Sequence, residues 1–239
     1  MHSMFDFSII IPALNESVFI EKTVNQVTNS IPIGKTFEII LINDCSSDET
    51  GALMDNIALP LENAYVIHNK VNMNLGGSYK IGVENARGNY VIMIPGDNSF
   101  SSSSINEILE AYDEADIIIP VHKNLKEFRS YSRTVISQLF TFIVNISFHL
   151  NVSYYNGIVL HKRSNINLIS LNSNSFFYQA EAIVRLIRKG SSYVERSIIT
   201  LEHNEDGFQH SSSALKLKNI YAVIKDYLVL IKHVYGKKN

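Results

Sequence analysis

The sequence predicts an α/β fold, a mostly parallel sheet with helices on both faces, and three observations carry that prediction. Short apolar runs alternate with stretches of helical period through residues 1–121. The runs are near-continuous in Ile, Val and Leu rather than alternating apolar and polar, which suits strands buried on both faces. Three of them end in polar residues, at Asn15-Glu16, Asn43-Asp44 and Gly96-Asp97-Asn98, and ligands of such sheets gather outside the carboxyl ends of the strands.

Taken in order, FSIIIPAL (7–14) is a strand, and in NESVFIEKTVNQVTNS the residues Val18, Ile20, Val24 and Val27 recur at helical spacing, with Glu16 and Glu21 towards the helix start. FEIILIND (37–44) is a second strand, and SSDETGALMDNIAL opens with Ser and Asp cap candidates and continues as a helix. AYVIHN (64–69), NYVIMIPGD (89–97) and DIIIPV (116–121) are further strands. LGGSYKIGVENARG (75–88) and INEILEAYDEA (105–115) are the helices between them. Past residue 122 the pattern changes to a basic stretch, then a long apolar helix through 134–150. A short strand lies within YYNGIVLHK (154–162), a helix runs through 175–190 to Gly190, a strand covers 191–203, and an amphipathic helix with a basic end spans Ala214 to Lys238. We expect one domain over 1–239, with a ligand-binding half to about 121 and an acceptor-side half after it.

With 46% hydrophobic and 18% charged residues the chain is globular, and a net charge of -2 gives no pull towards nucleic acid. A single cysteine, Cys45, excludes an internal disulfide framework, and no His/Cys cluster has zinc spacing. The N-terminus lacks the basic and apolar regions of a signal peptide, and no apolar stretch reaches the roughly 18 to 20 residues of a membrane span. The expected location is cytoplasmic, with peripheral contact at the membrane face.

The succession IIIPALNE, ILINDCSSDET, NLGGSYKIGVENARGNYVIMIPGD resembles the family-two glycosyltransferases of the GT-A fold, a Rossmann-like mostly parallel sheet. Within them it is most similar to the polyprenyl-phosphate sugar synthases of the dolichyl-phosphate mannosyltransferase type. The resemblance is strong over about residues 7–100 and continues weakly to about 210 through YYNG, FYQAE and EHNEDG. It implies an inverting, metal-dependent transferase using a UDP or GDP sugar. Pro12, Ala13, Asn15 and Glu16 would surround the nucleoside, Asp44 would accept from the base, and Asp48 falls on the later acidic position, where a helix N-cap is the equal alternative. Gly76 matches the family's Asn-x-Gly-Gly, for tight helix packing or close ligand approach. Gly96 would let the diphosphate approach the backbone, and Asp97, with Asn98, would hold Mg²⁺ or Mn²⁺. Pro95 replaces the first acid of the family's Asp-x-Asp motif, and Asn43 replaces an acid at the second strand end.

On the acceptor side, Gln179 and Glu181 match a glutamine-x-glutamate pair. Two residues that close on a helix point to different faces, so Glu181 alone is the candidate base, with a structural ion pair to Arg185 as its alternative. The later family loop loses two cations, with Asn204, Gln209 and His210 at the positions of arginine, serine and lysine. His210, Arg129 and Arg133 are weaker acceptor-side candidates. The apolar 134–150 segment and its basic lead suit a lipid-phosphate acceptor at a membrane surface or another glycan intermediate. Two rivals are a soluble transferase acting on a saccharide hydroxyl, which needs Glu181, and a nucleotide-sugar-binding protein without turnover. A nucleotidyltransferase would need a glycine-rich basic loop after the first strand, which IPALNES lacks.

Overall fold

The computed structural model describes residues 4–124, 130–199 and 216–236. Five strands alternating with four helices open the chain: β1 (Phe5–Ala13), α1 (Ile20–Thr28), β2 (Phe37–Asn43), α2 (Thr50–Ala58), β3 (Ala64–His68), α3 (Asn74–Asn85), β4 (Gly88–Met93), α4 (Ser102–Glu110) and β5 (Ile117–His122). There follow α5 (Tyr131–Phe148), β6 (Leu160–Lys162), the short α6 (Arg163–Ile166), α7 (Tyr178–Arg188), β7 (Tyr193–Ile198) and α8 (Leu217–Tyr235). The strands form one seven-stranded sheet in the order β3-β2-β1-β4-β6-β5-β7. All neighbours are parallel except β6, which runs antiparallel to both β4 and β5. A three-residue strand from the second half of the chain is thus inserted between two strands of the first half.

The near-continuous apolar runs divide by alternation between two cores, because successive side chains on a strand point to opposite faces. Ile10, Ile40, Ile42, Val91 and Met93 face the core under α3, α5 and α7. Ile9, Ile11, Ile39, Leu41 and Ile92 face the one under α1, α2 and α4. Helices cover both faces, as expected.

Several boundaries shift for local reasons. The first helix begins at Ile20 rather than Asn15, because Asn15 adopts a left-handed φ of 59° and the segment to Phe19 closes in turns on the Glu16 carbonyl. The second begins at Thr50, since residues 44–48 form a hydrogen-bonded loop. Helix α5 starts where the Ser130 hydroxyl accepts from the Arg133 amide and ends at His149, in the left-handed region. The strand expected over 191–203 is regular from Tyr193 to Ile198, and its end beyond Ile199 lies outside the described residues.

At the edge of the sheet opposite the strand tips, Glu38 is fully buried. Its carboxylate accepts from the Ser8 hydroxyl at 2.6 Å, the Arg87 amide at 2.6 Å and the Arg87 guanidinium at 2.7 Å. Arg87 also lies over the rings of Phe5 and Tyr65. It is therefore a structural partner of a buried acid.

Candidate active site

The carboxyl ends of β1, β2 and β4 bring three loops together, and side chains lace them. The Asn15 amide donates to the Ser46 hydroxyl at 3.0 Å, while Asn15 Oδ1 accepts from the Ser47 amide at 2.8 Å. The Glu16 amide donates to Thr50 Oγ1 at 2.8 Å, and Asp48 accepts from the Ser17 amide and from both the amide and the hydroxyl of Thr50. Asp48 thus ties the β1 loop to the start of α2, but it is not the N-cap: that position is Glu49, which makes no side-chain cap. Burial works against the ionised form of Asp48, but these hydrogen bonds outweigh it and hold its carboxyl below the ordinary range.

Glu16 behaves oppositely. Burial, then the negative charges of Asp97 and Asp48, push its carboxyl up to about 7. The loops after the first, second and fourth strands therefore place the carboxylates of Asp48 and Asp97 within electrostatic reach of Glu16.

At the tip of β4 the Gly96 amide donates to the Pro12 carbonyl at 2.9 Å, and a Cβ on Gly96 would stand 2.8 Å from that of Ala13. Close packing of β4 against β1 therefore explains this glycine, and its N–H is not available to a phosphate as expected. Thr23, from α1, fixes the turn that follows: its hydroxyl donates to the Gly96 carbonyl and accepts from the Asn98 amide, both at 3.0 Å. Asn98 has a left-handed φ of 56°, and its Oδ1 is buried with no hydrogen-bond partner among the described residues. A buried amide oxygen without a donor is anomalous. An amide oxygen, like the carboxylate of the preceding Asp97, is a hard donor of the kind Mg²⁺ or Mn²⁺ takes. No set of three His, Cys, Asp or Glu side chains among the described residues is arranged to hold a metal. An ion at Asp97 and Asn98 would have to complete its shell with phosphate oxygens and water.

Asp44 is buried, and its Oδ1 accepts from the Asn69 side chain and the Met73 amide, each at 2.8 Å. Asn43, at the position of the family's other acid, belongs to a chain that single-residue reading missed. Its Nδ2 lies 3.0 Å from His68 Nδ1, His68 Nε2 lies 3.1 Å from Asp55, and Asn43 Oδ1 accepts from the Ser46 amide. Only the pairing of β2 with β3 brings Asn43 and His68 together.

The acceptor-side candidates take structural places. The buried Glu181 carboxylate accepts from the amides of Asn172 and Ser173 and from Arg185 at 2.8 Å, the alternative the sequence left open. It pins the loop that receives α3. The Gly76 amide donates to the Asn174 carbonyl, and a Cβ on Gly76 would stand 2.6 Å from the Ser173 carbonyl oxygen. Gly76 is thus a packing glycine whose N–H is engaged. Gln179 pairs with His161 at 3.1 Å inside the core, where burial pushes the imidazole down to about 3. Arg133 sits in the first turn of α5, and the calls on Arg129, Asn204, Gln209 and His210 lie outside the described residues.

The family model "Glycosyl transferase family 2" matches residues 8–158. A dolichyl-phosphate beta-glucosyltransferase of Trichomonas vaginalis is 25% identical over 181 residues, 70% of this chain and 56% of that protein. This chain thus spans little more than half of that relative. A polyprenol monophosphomannose synthase of Mycolicibacterium smegmatis is 26% identical over 206 residues, 81% of this chain and 77% of that protein. Among solved structures, glucosyl-3-phosphoglycerate synthase of Mycobacterium tuberculosis in complex with Mg²⁺ and uridine diphosphate superposes with a TM-score of 0.65. It shares 10% identity and covers 99% of this chain and 81% of that one, a likeness of fold.

Proposed function

The chain belongs to glycosyl transferase family 2, and on that premise we propose that it moves a sugar from a UDP or GDP sugar to a polyprenyl phosphate or another membrane-associated glycan intermediate. The observation that carries this reading is that Asp48 and Asp97 both act on Glu16 at the strand ends, with the next residue, Asn98, carrying a buried Oδ1 that has no partner among the described residues. Pro12, Ala13, Asn15, Glu16, Asp44 and Asp48 flank the nucleoside, and Asp97 and Asn98 stand at the diphosphate. Mg²⁺ or Mn²⁺ held there would neutralise the charge of the departing diphosphate. Thr23 holds the backbone of the 96–98 turn that carries both Asp97 and Asn98. Acceptor attack from the far side of the sugar gives inversion.

The state of Glu181 favours a phosphate acceptor. A saccharide hydroxyl needs a base, and Glu181 is engaged with Arg185 and two backbone amides. A lipid phosphate is already ionised near neutral pH and needs none. The names of the two sequence relatives support the same class of acceptor. So does the surface: α5 exposes Val135, Leu139, Phe142 and Ile146, and α8 exposes Tyr221, Ile224 and Leu228, each at helical spacing. The two helices touch through Ser147 and Tyr227, and Lys225 and Lys232 border the apolar groove on α8. No helix among the described residues is long and apolar enough to cross a membrane, so this face suits lying on a bilayer.

The test is a thermal-shift series of nucleoside diphosphates and nucleotide sugars, with and without Mg²⁺ or Mn²⁺, on wild type and Asp97→Ala. A metal-dependent shift that one base produces and the variant loses supports the reading. The absence of any shift with every nucleotide rejects it.

A further inference from the structure

We infer that His68 is a positioning residue of the donor site: through Asn43 and Ser46 its imidazole holds the loop that carries Asn15, and it does so only while unprotonated. The inference rests on the donor site proposed above and adds to it a control from the edge of the sheet. The contacts form one line from α2 to the loop after β1. His68 Nε2 lies 3.1 Å from Asp55, and His68 Nδ1 lies 3.0 Å from Asn43 Nδ2. Asn43 Oδ1 accepts from the Ser46 amide at 3.0 Å, and the Ser46 hydroxyl accepts from the Asn15 amide at 3.0 Å.

The direction of every hydrogen bond in this line follows from the one donor that cannot change. The Ser46 amide is a backbone N–H, so the Asn43 side-chain oxygen must face it, and the Asn43 NH₂ group is left facing His68. An NH₂ group only donates. Nδ1 is therefore the acceptor, and the ring proton sits on Nε2, where the Asp55 carboxylate receives it. The Asn43 amide is also closely enclosed: it is buried, and a Cβ on Gly51, in the first turn of α2, would stand 2.6 Å from its Nδ2. Protonation of His68 sets an N–H against that NH₂ group. If Asn43 turns to offer the ring its oxygen, its NH₂ group meets the Ser46 amide instead, so in either orientation two donors face each other. Asp55 meanwhile gains, because an imidazolium is a stronger partner for a carboxylate. β3 is an edge strand, flanked by β2 and packed under α2. Asp55 is the only charged side chain on α2, and the only one on β2 is Glu38, five residues before Asn43 and paired with Arg87. Acid thus loosens the donor loop without removing the contact that fastens β3 to α2.

The experiment measures the affinities of UDP and GDP with Mg²⁺ by calorimetry, and thermal melting, at about pH 8 and about pH 5, either side of the ordinary imidazole range. Wild type, His68→Asn and His68→Leu are compared. Asparagine keeps an oxygen acceptor for Asn43 and has no titrating proton, whereas leucine has no acceptor. The His68 side chain is 45% exposed, so both variants should fold. At pH 8, His68→Asn should bind the matching diphosphate as wild type does and His68→Leu about fivefold more weakly, the scale of one hydrogen bond. At pH 5, wild type should lose about fivefold relative to His68→Asn, which corrects for every other group that titrates, without melting below it. Equal affinities in all three proteins, or the same acid loss in wild type and His68→Asn, overturns the role. Hydrogen exchange of the Ser46 amide at pH 8 makes the comparison without a ligand: exchange faster in His68→Leu than in His68→Asn supports the role, and equal exchange overturns it. If wild type binds neither diphosphate, the donor-site reading fails, and the exchange result alone decides whether His68 holds the loop.

Discussion

Substituting Glu16 by Gln tests the electrostatics of the strand tips directly. The carboxyl has an ordinary value of 4.5 and is pushed up to about 7 by burial and by Asp97 and Asp48. The native state therefore keeps this proton where the unfolded chain has already lost it. Stability is whole below about pH 4.5, declines as pH rises, and levels off above about pH 7. At about 1.4 kcal/mol per pKa unit, the full penalty is about 3 kcal/mol. Glu16 is only half-buried, and solvent screening brings this to about 1–2 kcal/mol. Glutamine has the same shape without the charge. The expected result is equal melting at pH 4.5 and a variant that melts about 3–6 °C above wild type at pH 8, with the gap opening between those values. The assay is thermal unfolding of both proteins, followed by circular dichroism at half-unit pH steps. A gap independent of pH, or a wild type more stable than the variant at pH 8, would refute the reasoning.

Other outcomes follow from single contacts. Arg87→Ala removes the partner of the buried Glu38, and since the guanidinium is partly exposed the expected loss is about 3 kcal/mol, at the low end for a broken buried pair. Denaturant unfolding measures it, and a change under about 1 kcal/mol contradicts the structural role. Gly76→Ala drives a Cβ to within 2.6 Å of the Ser173 carbonyl oxygen and should cost about 1–3 kcal/mol in the same assay. Replacing Leu139, Phe142 and Leu228 by Glu, all more than half exposed, should leave melting nearly unchanged. It should abolish co-flotation with vesicles containing anionic lipid; flotation equal to wild type would remove the α5–α8 face as the membrane contact.

The succession of strands and helices was legible because each follows from neighbouring residues. Runs such as FSIIIPA and FEIILIN declare buried strands by composition, and the polar residues after them mark the ligand edge. The same local reading cannot say which distant backbone a residue meets. Gly96 looked like a phosphate contact but serves the packing of β4 on β1, some eighty residues away in sequence. Glu181 looked like a base, while its burial and the loop at 172–173 make it a fastening for the seat of α3. Alone, the sequence determined the α/β alternation, the edge where ligands gather and the acids presented there, all properties of short segments and their periodicity. Only the tertiary structure decided strand order, the neighbours of each acid and which polar groups are already satisfied, because burial and hydrogen-bond partners arise from contacts between segments far apart in the chain.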